Sequence, residues 1–266
     1  MCEVRVKRIV MLCGSDDLKR GVFRRLVEHI DPIKNQKLNI ESVEPISTDS
    51  IYEFSKVMHR ISSEVKEEGA PILNFYFHGC AEKGLLLQSK EYVSWSLLNE
   101  LLRGINKQIL NTMCVISMAC HSFKSIYPPD MFAPAPYSVL FAPTEEITQG
   151  QIEIQVCKFY TALLTNGSLD EASKEMTAFE RFIPEVHILK ALDGALKETH
   201  GRAGAKSREE AMTRALGVFP DMDKKKYRSI LKNYGKKNPD EVKKRLAGVF
   251  MCGRDFCPSV ISLQNA

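Results

Sequence analysis

A chain of 266 residues, 44% hydrophobic and with no run near the ~18 apolar residues that would span a bilayer, reads as globular, with room for one large core or a core and an appendage. Its net charge of +4 is uneven: residues 190–246 carry 16 Lys and Arg against 8 Asp and Glu, which leaves the preceding residues net acidic. Eight cysteines, at 2, 13, 80, 114, 120, 157, 252 and 257, are too sparse for a disulfide scaffold, so reduced thiols in a cytoplasm are the expected state.

The opening stretch, MCEVRVKRIVMLCG, has a short apolar core and no small-residue cleavage site, so it reads as a first strand and not a signal peptide. DLKRGVFRRLVEHI (17–30) follows as an amphipathic helix, and LNIESVEPI (38–46) as a second strand. Thr48, Asp49 and Ser50 can cap a helix over 51–68, and Gly69 can close it. ILNFYFHG (72–79) is a third strand, apolar on both faces as the centre of a parallel sheet requires. GLLLQSKEYV (84–93) reads as a small hairpin, and Ser94 starts a helix from Trp95. TMCVISMAC (112–120) is a fourth strand and YSVLFAP (137–143) a fifth. A helix over 152–167 ends at Gly167, and SLDEASKEM opens another. Strand and helix alternate, which predicts an α/β sandwich with a mostly parallel central sheet flanked by helices.

On this reading His78 ends the third strand and Cys120 the fourth, with a crossover helix between them. A right-handed crossover makes the two strands parallel, so both residues leave the sheet at its carboxyl edge, where open α/β sheets place their sites. Neighbouring strands are ~4.8 Å apart, which brings an imidazole and a thiol within reach of one another. A thiol attacks as thiolate, and an adjacent imidazole can take its proton and later protonate a leaving amine. Gly79 leaves its backbone N–H open, and the turn at Cys120 supplies a second, so the two can form an oxyanion hole.

Strand-His-Gly followed by strand-Ala-Cys resembles the caspase-like cysteine peptidases, which include caspases, gingipains, legumains, separases and the CHAT group. The caspase form, Q-A-C-[RQG]-G, is replaced here by Met118-Ala119-Cys120-His121-Ser122, so the chain is no true caspase. The CHAT group is more similar: SVLFAPTEEITQG and then FYTALLTNGSLDEASKEM match its later pattern, except that Phe141-Ala142 stands where a Trp would precede Pro143. The resemblance covers about residues 4–180 and implies a caspase-like three-layer sandwich there; residues 181–266 read, from their own charge and pattern, as a basic, mainly helical extension. It implies His78 as base and acid, Cys120 as nucleophile, and Gly79 and Cys120 N–H groups on the oxyanion. It further implies Glu146, with Glu145 second, as the acid that receives a basic side chain before the cut. The implied activity is a cysteine endopeptidase that cleaves a protein after Arg or Lys, in a regulated defence or cell-death pathway and under an activating protein partner. It needs no cofactor and no membrane.

Other readings follow from the same residues. His78, Cys80, Cys120 and His121 have zinc-ligand types, but their strand-end spacing lacks a C-x₂-C knuckle. His121, next after the nucleophile, would point the other way on an extended segment and so serve structure or substrate contact. The loop HGRAGAKSREE offers Arg202, Lys206 and Arg208 as self-cleavage sites. FIPEVHILKALDGALKETHG (182–201) reads as helical. The contrasting function is a non-catalytic module of the same fold whose basic C-terminal segment binds nucleic acid or an acidic partner.

Overall fold

In the computed structural model the described residues are 6–19, 21–123, 133–187, 225, 229 and 248–253. The self-cleavage candidates Arg202, Lys206 and Arg208, and most of the basic segment, lie outside them. The chain divides into two compact units, one of residues 3–127 with 136–182, the other of 1–2, 128–135 and 183–266. In the second unit, the Ala135 N–H donates to the Phe250 carbonyl at 2.9 Å, and residues 184–187 are helical.

The first unit is a six-stranded sheet between helices. In chain order it runs β1 (Val6–Cys13), α1 (Ser15–Lys19), α2 (Gly21–Ile30), β2 (Ser42–Ser47), α3 (Ile51–Glu68) and β3 (Ala70–Tyr76). A small β4 (His78–Cys80), β5 (Gly84–Leu86) and β6 (Tyr92–Val93) come next, then α4 (Trp95–Gln108) and β7 (Cys114–Ser117). β8 (Val139–Ala142), α5 (Gln149–Asn166), α6 (Leu169–Ser173) and β9 (Glu180–Phe182) complete it. The sheet order is β2-β1-β3-β7-β8-β9, parallel except for β9 against β8. This is the expected α/β architecture, a mostly parallel sheet with helices on both sides.

Local chemistry explains most boundaries. The Ser50 side chain accepts from the Glu53 N–H and starts α3, and the Ser94 hydroxyl accepts from Leu97 N–H to start α4. Thr148 and Gln151 form a reciprocal capping box at α5, and Gly167, at φ 72°, ends that helix in the left-handed region. The expected single helix over 17–30 is two, because Gly21 takes φ 72° and breaks it.

The core on one face joins Val10, Leu12, Leu73 and Phe75 of the sheet to Phe54 and Met58 of α3 and Leu98 and Leu102 of α4, all buried. On the other face, Phe23 of α2 meets Tyr76 with ring centroids 5.7 Å apart, and Phe159 of α5 meets Phe141 at 5.2 Å. Among these apolar groups the Tyr160 hydroxyl donates to Asn74 Oδ1 at 2.8 Å, so a buried amide on a central strand keeps its partner.

Several expected boundaries move. β2 is shifted to 42–47. Phe182, read as the start of a helix, instead lies in β9, paired with Leu140. The three-residue strand is too short for alternation to reveal. No helix among the described residues is long and apolar enough to cross a membrane.

Candidate active site

The third strand stops at Tyr76, two residues before His78. Phe77 turns into the core against Phe54, at a ring separation of 6.0 Å. His78 then opens a separate antiparallel ribbon, pairing with Leu86, while Gly79 pairs with Leu85. His78 is therefore exposed at the carboxyl edge as expected, but on its own small sheet and not as the last residue of β3. Trp95 fixes that ribbon: its indole N–H reaches the carbonyls of Cys80 and Ala81, each at 3.1 Å. Gly84 turns the chain at φ 111°, where a Cβ would lie 2.0 Å from the Val93 carbonyl oxygen.

Cys120 likewise stands beyond its strand, since β7 ends at Ser117. The Met118 N–H continues the ladder to the Phe75 carbonyl at 2.9 Å, and the Ser122 N–H closes a turn on Ala119 at 3.3 Å. β3 and β7 are adjacent and parallel, with Phe75 opposite Ser117. The two short motifs then meet directly. A Cβ on Gly79 would lie 2.9 Å from the Cys120 nitrogen and 2.1 Å from its carbonyl oxygen. Glycine is thus required at 79 by the close approach of the Ala119–Cys120 backbone, at an ordinary φ. Among the described residues the Cys120 N–H donates to no acceptor, and the half-buried thiol has the Ile147 carbonyl at 3.9 Å.

The loops after β7 and β8 are tied together. The His121 N–H donates to the Glu145 carbonyl at 3.1 Å, and the Phe123 N–H to the Pro143 carbonyl at 3.1 Å. These bonds hold residues 145–147 beside Cys120. Glu145 and Glu146 are both exposed. His121 is not extended: its φ of 58° puts it in the left-handed region, so the alternation expected of a strand does not set its direction. Among the described residues no three of His, Cys, Asp and Glu gather as metal ligands, so His78, Cys80, Cys120 and His121 do not build a zinc site.

One residue at this edge has no counterpart in the sequence reading. Asp17 sits in α1, just after β1, and its N–H bonds the Gly14 carbonyl at 3.1 Å. Burial raises its carboxyl above the usual aspartate range, the imidazole of His78 lowers it, and Asp16 raises it further. Asp17 in turn adds to the burial that pushes the Cys13 thiol and the Tyr76 phenol each up to about 12. The signal was in the chain: Gly14-Ser15-Asp16-Asp17 follows the first apolar strand directly, at the same sheet edge as His78.

No known family model matches the chain, and neither does any curated protein.

Proposed function

We propose that this chain is a cysteine endopeptidase with His78 and Cys120 as its dyad, and that it cleaves a protein after Arg or Lys. The observation that carries the reading is the contact at Gly79, whose Cα approaches the Cys120 backbone too closely for any side chain. A scaffold has no need to press a His-Gly segment against an Ala-Cys turn at the reactive edge of a parallel sheet.

The chemistry follows from that arrangement. The Cys120 thiolate attacks the scissile carbonyl, and the oxyanion is received by the Cys120 N–H and the Gly79 N–H. His78 gives its proton to the leaving amine, and a thioester to Cys120 remains. Water attacks the thioester, His78 takes its proton, and the thiolate departs. Glu146, with Glu145 beside it, stands on the loop that borders Cys120 and supplies the carboxylate that a substrate guanidinium or ammonium requires.

The test is a panel of fluorogenic peptides with Arg, Lys, Asp or Asn before the cut. The expected result is cleavage after Arg and Lys by the wild-type protein and none by Cys120→Ala or His78→Ala, with Cys80→Ala retaining most activity. Undiminished cleavage by Cys120→Ala would overturn the assignment.

A further inference from the structure

We propose that Gln151 is a positioning residue of the site: through the Thr148 amide it aims the Ile147 carbonyl at the Cys120 thiol and so restrains that thiol in its protonated form. The inference rests on the peptidase reading for its purpose, while its geometry and its first two tests stand without any cleavage.

The chain of contacts begins at α5. Gln151, exposed on the first turn, accepts from the Thr148 N–H at 3.0 Å, and its own N–H donates to Thr148 Oγ1 at 3.2 Å. In a trans peptide the N–H and the preceding C=O lie in one plane and point in opposite directions. Fixing the Thr148 N–H on Gln151 therefore fixes the Ile147 carbonyl on the other side of the same plane. That carbonyl accepts from the Cys120 thiol, with Sγ and oxygen 3.9 Å apart. Among the described residues no N–H donates to it.

Both sides of this contact are anchored. The Glu145 carbonyl, two residues before Ile147, accepts from the His121 N–H at 3.1 Å, and the Ile152 N–H donates to the Thr148 carbonyl at 3.0 Å. Ile152 and Val156 bury α5 against the sheet, and Phe159 packs on Phe141. On the other side the Ser122 N–H closes the Cys120 turn on Ala119, and Gly79 abuts its backbone. The Ile147–Thr148 peptide lies between these anchors, and the side chain that holds its N–H is Gln151.

The contact has a chemical direction. A carbonyl oxygen accepts from S–H, but presents the negative end of its dipole to a thiolate, so it favours the protonated form. The proton that the reaction must remove is engaged by the main chain in the resting site, and its transfer to His78 breaks this bond. The titratable and charged groups on the elements around the turn are His78 and Cys80 of β4, His121, Glu145 and Glu146 on the loops, Asp17 on α1, and Glu153 on α5, which pairs with Arg25. Gln151→Met alters none of them and changes no charge, so a changed titration of Cys120 in that variant isolates the carbonyl.

Three measurements test this. The first is hydrogen exchange of the Thr148 amide by NMR. It should quicken about tenfold in Gln151→Met, stay slow in Gln151→Glu, which keeps an oxygen acceptor, and leave the Val156 and Phe159 amides protected, which shows α5 intact. An unchanged Thr148 rate overturns the proposal. The second is the rate of Cys120 alkylation by iodoacetamide against pH, read by mass spectrometry. The midpoint should move acidward by about half a unit to one unit in Gln151→Met, and not acidward in Gln151→Glu. The rate below the midpoint should rise only about two- to threefold, because a more acidic thiol is also a weaker nucleophile. A rise by one factor at every pH, with the midpoint unmoved, would mean that the variant merely exposes the thiol, and overturns the proposal. The third is peptide cleavage: the acid limb of kcat/KM should follow the alkylation midpoint, with KM within about twofold of wild type. A limb that stays in place while the alkylation midpoint moves would overturn the restraint on the nucleophile. Absence of all cleavage, with the first two results as expected, would reject the peptidase reading and leave the Gln151 restraint standing.

Discussion

The two ends of β1 handle charge in opposite ways. At the amino end Arg8, 3% exposed, meets three carboxylates: Glu44 at 3.7 Å, Glu64 at 3.1 Å and Glu68 in closer contact. These come from β2 and α3, so one guanidinium fastens a strand and a helix to the sheet. At the carboxyl end Asp16 and Asp17 crowd together, burial works against the Asp17 carboxyl, and the charge that offsets it is an exposed imidazole. One end neutralises what it buries, while the other keeps like charges close and spends stability to do so. The difference separates a residue set that holds the fold from one that lies at the edge of the proposed dyad.

The contrast breaks most severely at Gly79. Gly79→Ala places a Cβ 2.1 Å from the Cys120 carbonyl oxygen, a backbone atom that can yield only by moving the turn. Cleavage is expected to fall at least about a hundredfold, the scale of a lost oxyanion donor, and the melting midpoint to drop as the turn is displaced. A fully active Gly79→Ala protein would show that the Ala119–Cys120 turn is not held where it is described. At the other end of β1, Arg8→Met removes the cation that Glu44, Glu64 and Glu68 share, leaving Glu64 with Arg60 at 3.7 Å, and should lower the midpoint of denaturant unfolding. Activity measured well below the transition should be retained. A variant that is stable but inactive would contradict the division between the two ends.

Smaller effects sharpen the comparison. Glu146→Gln should lower kcat/KM for an Arg peptide by ~1.5–3 kcal/mol, on the order of tenfold to a hundredfold. Glu145→Gln should cost less, because its carbonyl, and not its carboxylate, is what the loop uses. Equal cleavage after Asp and Arg would show that neither acid reads the substrate. The smallest effect is on stability at Asp17. Burial raises this carboxyl in the folded chain, so the folded state binds the proton more readily than the unfolded one. Stability from this group therefore falls as pH rises from the ordinary aspartate range through the raised one, and the ionised form is a net cost at neutral pH. Asp17→Asn should raise the unfolding midpoint at neutral pH, and the gain should vanish on acidification below the ordinary aspartate range. A gain of equal size at both pH values would assign it to something other than ionisation.

The alternating pattern made the sheet legible, because strands buried on both faces, such as Ala70–Tyr76 and Cys114–Ser117, read as uninterrupted apolar runs. Caps were legible for the same local reason: Ser50, Ser94 and Gly167 stand where their side chain or φ is needed. The turn from β3 into β4 was hidden, since Phe77 is as apolar as the strand before it and only its packing on Phe54 shows that the ribbon has begun. The left-handed His121 and the antiparallel β9 depend on contacts with residues far along the chain, which no local pattern carries. Asp17 escaped notice because aspartates opening a helix are ordinary in a sequence, and its meaning arises only from the strand beside it.

The buried thiols lend themselves to a use of their own. Cys114 begins β7 between β3 and β8, and burial pushes its thiol up to about 12. A thiol reagent meets it only when the centre of the sheet parts, so its labelling rate in native buffer is a clock for whole-sheet opening. Cys13, also pushed up to about 12, sits at the strand terminus beside Asp17 and times the fraying of that edge. The chain thus carries two internal chronometers, one for the unit as a whole and one for the rim where substrate would bind, readable by mass spectrometry without adding a label to the gene.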